Sequence, residues 1–150
     1  MQNIKSDLYQ LCVNFIETRI QTAEFALKQA REASNGDTKS SAGDKFETSR
    51  EMMQQDIDRN KRLLIDAEEN QRVLNSLKDA PFSESARNGS LVYTNNGNFY
   101  LSISAGQLHL GKELFFAISA VSPIGKLLLG KKKGQQFDFN GKKYQINEVV

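Results

Sequence analysis

Apolar side chains return at alternating steps of four and three along Tyr9, Val13, Ile16, Ile20, Ala23, Leu27 and Ala30. The same steps run through Met53, Ile57, Asn60, Leu64, Ala67, Gln71 and Leu74. This spacing keeps one stripe of a helix facing a partner, so the chain from Ile4 to Leu77 is predicted to form two long helices. Pairing them antiparallel about a polar turn near Lys39 and Ser40 sets Leu27 opposite Met53, Ala23 opposite Ile57, Ile20 opposite Asn60, Ile16 opposite Leu64 and Val13 opposite Ala67. The residue numbers of every pair add to 80. Unrelated helices have no reason to share a constant sum, so the expectation is an intramolecular coiled-coil hairpin. Asn60 and Gln71 interrupt the apolar seam and are expected to fix its register at some loss of stability.

The first helix is expected from about Asn3 to Ser34, where Asn35 and Gly36 stop it, because glycine takes the left-handed conformation that ends helices without strain. Leu8, Leu11 and Phe15 widen the apolar face near its base. The base is therefore predicted to pack against something besides helix two. A turn of Asp37 to Gly43 follows, and the second helix restarts around Ser41 to Asp44, with Ser41 and Asp44 or Asp44 and Glu47 as a reciprocal cap. At ~1.5 Å per residue the arm from Tyr9 to the turn reaches roughly 40 Å, a rod expected to project from any body this small.

Residues 79–88, with Pro81 and no periodicity, read as a linker. Beyond it the hydrophobic period drops to two. Ser90 to Asn95 alternates, Asn96-Gly97 signals a two-residue hairpin turn, and Phe99, Leu101 and Ile103 continue as the return strand. Gln107 to Leu110 and Glu113 to Ser119 are two further predicted strands. Ser122-Pro123 opens a short helix, Ser as N-cap and Pro at the first helical position, running through Ile124, Leu127, Leu128 and Leu129 to Gly130. Gln135 to Phe139, a second Asn-Gly turn at Asn140-Gly141, and Lys143 to Val149 complete the pattern. The predicted fold class is α+β, with a coiled-coil hairpin over 1–78 and a small antiparallel sheet domain carrying one short helix over 89–150.

Composition narrows the classes of function. At 150 residues, 39% hydrophobic and 25% charged, the chain reads as a soluble protein of one ordinary domain or two small ones. No apolar run approaches the ~20 residues of a spanning helix, and Asp7 interrupts an N-terminus that lacks signal-peptide character, so a cytoplasmic location without membrane contact is expected. The lone Cys12 excludes an internal disulfide, and with His109 as the only histidine a zinc cluster is excluded too. Cys12 sits beside the seam and reads as a buried thiol. His109 alternates with Leu108 and Leu110 on the opposite face of a strand, with no carboxylate or cysteine near it in sequence. The net charge of +2 hides an asymmetry: residues 1–80 hold 12 basic and 14 acidic residues, and residues 81–150 hold 8 and 4.

Two stretches resemble the Gre (GreA/GreB) transcript-cleavage and elongation factors of bacterial RNA polymerase. Ser122-Pro123-Ile124-Gly125, followed by Leu128-Leu129-Gly130-Lys131 and Gly134, is similar to the signature of that family's FKBP-like C-terminal domain, and Lys142 to Ile146 with Glu148-Val149 is similar to its final strand. In the hairpin, Ala30-Arg31 with Gly36-Asp37 resembles the approach to the family's tip, which the resemblance sets near 36–47, and Phe46-Glu47 with Arg50-Glu51 resembles the start of its second helix. The resemblance implies a hairpin that enters the secondary channel of RNA polymerase, where acidic tip residues help hold a second Mg²⁺ at the polymerase's own catalytic centre. Asp37 matches the first tip acid and is the implied metal ligand. Three residues on, where the family has a glutamate, this chain has Ser40, and Asp44 is either a substitute acid or a cap.

The resemblance thus implies an accessory factor, not an enzyme, with RNA polymerase as partner, indirect contact with nascent RNA or DNA, no small-molecule substrate, and no cofactor beyond the polymerase's Mg²⁺. It implies binding residues at Ser122, Pro123, Ile124 and Gly125. Lys131, Lys132 and Lys133 read either as a solvated run after a helix end or as a basic patch facing an acidic rim. Whether cleavage is stimulated or the channel merely occupied stays open. Peptidyl-prolyl isomerase activity, suggested by the FKBP-like fold, and a coiled-coil adaptor role are the alternatives from other classes.

Overall fold

A computed structural model describes the backbone of residues 3–37 and 43–150, and the side chains of 3–33 and 49–150. The elements are α1 (Ile4–Asp37), α2 (Gly43–Asn75), β1 (Leu91–Thr94), β2 (Gly97–Ser102), β3 (Gly106–Leu110), β4 (Glu113–Ser119), α3 (Pro123–Leu128), β5 (Gln136–Phe139) and β6 (Lys142–Val149). The architecture is α+β: two paired N-terminal helices, then a six-stranded open sheet with one short helix. By compactness the chain divides into Ile16–Gln71 and a second unit formed by Met1–Phe15 with Arg72–Val150.

Within Ile16–Gln71 the buried positions are those of the heptad seam. Ile16, Ala23 and Leu27 are buried on α1, and Ile57, Asn60 and Ala67 on α2, while Phe25, Met52, Leu63 and Ile65 on other faces are exposed. Burial recurring at these steps on both arms is the packing of a coiled-coil-like pair. Asn60 does not reach across the seam for its hydrogen bond. Its side-chain amide donates at 2.9 Å to the Asp56 carbonyl of its own helix. A buried amide satisfied within one arm costs little. Helix α1 also outlasts its expected stop at Ser34, continuing to Asp37 with Asn35 and Gly36 inside it. Glycine within a helix costs only about 1 kcal/mol, too little by itself to end one.

The other unit is built on β1 and β2. The sheet order is β3-β4-β2-β1-β6-β5, antiparallel throughout except that β2 and β4 run parallel. That parallel pair arises because the β3–β4 hairpin turns back at Gly111-Lys112 and lays β4, not β3, beside β2. Strand β2 alternates strictly: Phe99 and Leu101 face one way, Tyr100 and Ser102 the other, and all four are buried. Burial of both faces means that both are covered. Leu128 of α3 joins Phe99, Leu101 and Ile146 in the core on one side. On the other, Cys12 of α1 sets its Sγ 3.8 Å from the Ser102 Oγ. Leu8 and Cys12 are both 0% exposed. The widened apolar base of α1 is thus a covering layer for the sheet, as its sequence predicts.

Turn chemistry fits in one hairpin and shifts in the other. Asn140 and Gly141, at φ 51° and 77°, form the two-residue β5–β6 turn with positive φ at both central positions, which suits the twist of the flanking strands. The β1–β2 turn lies one residue before the expected Asn96-Gly97, because Thr94 pairs with Gly97 and leaves Asn95 and Asn96 as the loop. Side chains explain the shift: the Thr94 hydroxyl donates to the Gly97 carbonyl at 2.7 Å, and Asn95 Oδ1 accepts from the Gln145 N–H at 2.7 Å. The segment 79–88 is not a free linker either. The Ala86 N–H donates to the Lys131 carbonyl at 2.8 Å, the Gly130 N–H returns a bond to the Ala86 carbonyl at 2.7 Å, and Ala86 is buried in the core.

Two outcomes follow from this packing. Asn60→Leu raises the unfolding free energy measured in urea by on the order of 1 kcal/mol, because it removes a polar group from the seam without orphaning a partner across it; a fall would show that the amide sets register. Burial pushes the Cys12 thiol up from 9.0 to about 11, against a smaller opposing effect of the Ser102 hydrogen bond. A raised folded-state pKa stabilises the fold fully below the unfolded value, so stability falls as pH rises from about 9 to about 11. Denaturation midpoints across that range should fall less steeply in Cys12→Ala. Some slope remains, since burial also raises the Tyr100 hydroxyl.

Candidate functional site

Two places carry the residues that the sequence singles out. The first is the end of the hairpin. Asp37 is the last residue of α1 and Asp44 the second of α2, so both acids stand at helix ends either side of the connection. The side chains of Asp37 and Asp44, and Ser40 with its neighbours, lie outside the described residues. So do the two candidate caps of α2 and the Phe46-Glu47 side chains.

The second place is the segment from Ser119 to Lys133. Ser122 is the N-cap of α3, with an extended backbone of φ −68° and ψ 158°, and Pro123 opens the helix. The Ser122 hydroxyl works in both directions: it donates to the Ser119 carbonyl at 2.6 Å and accepts from the Gly125 N–H at 3.1 Å. That single oxygen ties the end of β4 to the first turn of α3. Gly125 is buried beneath it, and a β-carbon there would collide with the Ser119 carbonyl oxygen and the Ser122 hydroxyl. Ile124 packs on the core side, whereas Val121 is exposed. Ser122, Pro123, Ile124 and Gly125 therefore share one explanation, a tight strand-to-helix corner, and their shared motif is accounted for by that geometry. The helix is shorter than its apolar run suggests. Leu129 leaves it as the C-cap, at φ −55° and ψ 129°.

The three lysines after α3 do not act alike. Lys131 is half-buried and spends its carbonyl on Ala86, while Lys132 donates its N–H to the Gln135 Oε1 at 2.7 Å and sends its own side chain outward. Lys132 and Lys133 line a shallow groove shared with Phe82, Glu84 and Glu148. Two carboxylates beside two ammonium groups make that surface mixed in sign rather than uniformly basic. Phe82, from the segment before β1, lies open to solvent there. Sequence reading passed over Phe82, whose place beside Lys132 and Glu148 comes from long-range placement, and Ser119, which takes part through its backbone carbonyl and so leaves no side-chain signal. His109 is exposed on β3 between buried Leu108 and half-buried Leu110, as the alternation requires.

Among the described residues, no group of three or more His, Cys, Asp or Glu could hold a metal ion, and no helix is long and apolar enough to cross a membrane. No protein-family model matches the chain, and no curated protein matches it either.

The corner at Gly125 yields a direct test. Gly125→Ala forces the Ser119 carbonyl or the Ser122 hydroxyl aside and lowers unfolding stability by roughly 1–3 kcal/mol. Ser122→Ala removes the cap and the hydroxyl's bond to the Ser119 carbonyl, which still accepts from the Ser122 N–H, at a cost of about 1 kcal/mol. Urea denaturation of the two variants gives the ranking, with Gly125→Ala the more damaging.

Proposed function

We propose that the chain is an accessory factor of RNA polymerase, of the Gre type, that places the end of its helical hairpin in the secondary channel of the enzyme. The observation that carries this reading is the paired α1–α2 hairpin with a regular buried seam, its first arm ending in Asp37 and its second opening on Gly43 and Asp44. Support comes also from the sheet unit that follows it in the order the resemblance requires, with a Ser-Pro-opened helix between β4 and β5.

A two-helix rod is thin, and side chains at its end can enter a pore that excludes a globular domain. A carboxylate carried there adds one hard oxygen ligand to an ion whose other ligands belong to the polymerase. That division of labour suits this chain, because a borrowed ion needs no complete ligand set on the factor. When held at the polymerase centre, Mg²⁺ supplies the charge and the activated water that two-metal hydrolysis requires. This chain's part is to bind, to orient the carboxylate of Asp37 and to narrow the channel around the RNA end. Cleavage chemistry stays with the polymerase.

Ser40 supports a second version in which the factor occupies the channel and modulates transcription without stimulating cleavage. A hydroxyl has no net charge and is a poorer Mg²⁺ ligand than a carboxylate. Asp44, one residue into α2, is the next acid after Asp37, with Glu47 one turn further on. The isomerase alternative has no such support: Phe99, Phe137 and Tyr144 are packed against one another in the core, with the Phe137 and Tyr144 rings stacked 5.0 Å apart. Those three rings are spent on the core.

Stalled elongation complexes decide between the versions. If the tip acids act on cleavage, Asp37→Ala lowers the cleavage rate by at least the roughly tenfold to hundredfold lost when a metal's supporting ligands are removed, and Asp44→Ala does so if it serves as the second acid. Undiminished cleavage in both variants removes the acidic-tip mechanism. Wild-type binding to core polymerase, competed by a known channel occupant but without cleavage, selects the non-cleaving version. No binding to core polymerase rejects the proposal as a whole.

A further inference from the structure

The face of the sheet that α1 covers is not completely filled. A cavity of about 210 Å³ lies where the first turns of α1 meet the turn after α2 and strand β2, lined by Lys5, Tyr9, Lys78, Asp79 and Tyr100 among others. Its most informative member is Tyr100. The ring is core, 2% exposed, yet the hydroxyl makes no hydrogen bond among the described residues. Every fully enclosed side-chain polar atom there is satisfied, so this hydroxyl owes its freedom to the cavity it borders. A phenol buried this deeply ordinarily finds a partner. Here the hydroxyl faces the cavity instead.

The charges around the cavity point the same way. Lys5 is half-buried and donates to the Ala80 carbonyl at 3.3 Å, but forms no ion pair among the described residues. Arg87 stands close enough to act on it, holding its guanidinium on the Pro81 carbonyl at 3.3 Å. Burial, and then the Arg87 charge, lower the Lys5 pKa below its ordinary value. Lys78 adds a third cation, and Asp79 is the one carboxylate in the lining. Within the lining Lys5 and Lys78 stand against Asp79, and Arg87 adds its positive charge from outside the lining. The first turn of α1, a helix of 34 residues, adds the positive end of its dipole at the cavity wall, with the Ser6 N–H donating to the Asn3 Oδ1 at 3.2 Å.

We propose that this cavity binds a phosphate group, as the free dianion or as the end of a phosphate monoester. The lining is net positive, and a tetrahedral ion offers oxygens to donors arriving from three directions: Lys5 and Tyr9 from the helix, Lys78 from the turn, Tyr100 from the sheet. The cavity is smaller than the ~300–1,000 Å³ of ordinary ligand pockets, which suits a compact head group rather than a whole nucleotide. The site lies apart in sequence from the hairpin end, so occupancy here and action at the polymerase are separate properties.

Isothermal titration calorimetry of the full chain at fixed ionic strength tests it, with inorganic phosphate, ribose 5-phosphate, ribose and acetate as probes. Binding of phosphate alone identifies the free ion, binding of ribose 5-phosphate well above phosphate identifies the monoester, and ribose and acetate bind neither way. Lys5→Gln weakens the binding by about tenfold, as loss of a charge-assisted bond does, and Tyr100→Phe weakens it several-fold while keeping the ring that fills the core. Circular dichroism and thermal midpoints confirm that both variants fold, and Tyr9→Phe replaces Tyr100→Phe if the latter does not. Failure of both phosphate probes, acetate binding as tightly as phosphate, or binding untouched by Lys5→Gln and the tyrosine variant overturns the proposal.

Discussion

The interaction on which the sheet unit depends is the burial of the first turns of α1 on the Tyr100 and Ser102 face of β2. A six-stranded sheet of about sixty residues has two faces to remove from water and only one short helix, α3, to do it with. Leu128 and Ile124 cover the Phe99 and Leu101 side. The opposite side would be left open without Leu8 and Cys12, and these two residues vanish from solvent completely. At ~25 cal/mol per Å² of apolar surface, each such side chain contributes roughly 1.5–3 kcal/mol, comparable to a sizeable part of a small domain's net stability. The basal turns of α1 and α2 therefore belong to the sheet's core as much as to the helical pair. It is for this reason that the compact units divide within the helices, after Phe15 and before Arg72, and not at the proline-containing segment.

The segment between α2 and β1 makes the same point from the other direction. Pro81 and the lack of periodicity are ordinary signs of a flexible connection, and they hold locally. What they miss is that Ala86 exchanges two backbone hydrogen bonds with Gly130 and Lys131, across 45 residues of chain. That exchange fixes the end of α3, turns Leu129 out of the helix, and seats Ala86 in the core. A chain of small residues can be bound by its backbone alone, and backbone pairing leaves no mark in composition.

Much of the fold was legible because its signals are local or strictly periodic. The seam survives from numbering to burial, since a seven-residue step has one geometric meaning on a helix. Asn140-Gly141 and Ser122-Pro123 were legible for a related reason: each demands a backbone conformation that few other residues take easily. The unreadable features all turn on competition between distant partners. The β1–β2 turn moved by one residue because Asn95 and Asn96 found Lys143 and Gln145 on β6. The parallel β2–β4 pairing was invisible, because alternation shows that a segment is a strand without naming its neighbour. Gly36 failed to stop α1, as a propensity of about 1 kcal/mol yields to a partner helix. The cavity beside Lys5 was illegible for the strongest reason, since its walls come from three separate parts of the chain.

The candidate functional residues divide along the same line. Ser122, Pro123 and Gly125 form a motif that attracts a functional reading, yet each is fully used in building a corner: one oxygen bridging two backbone groups, one fixed φ, one missing β-carbon. These contacts fix the corner, while Pro123 itself stays exposed. The acids near the hairpin turn present the opposite case. Asp37 closes a helix at its negative end, where a carboxylate is disfavoured by the dipole, and Asp44 opens one, where it is favoured. The same dipole thus treats the two acids oppositely, and helix stability by itself distinguishes their places at the two ends of the connection.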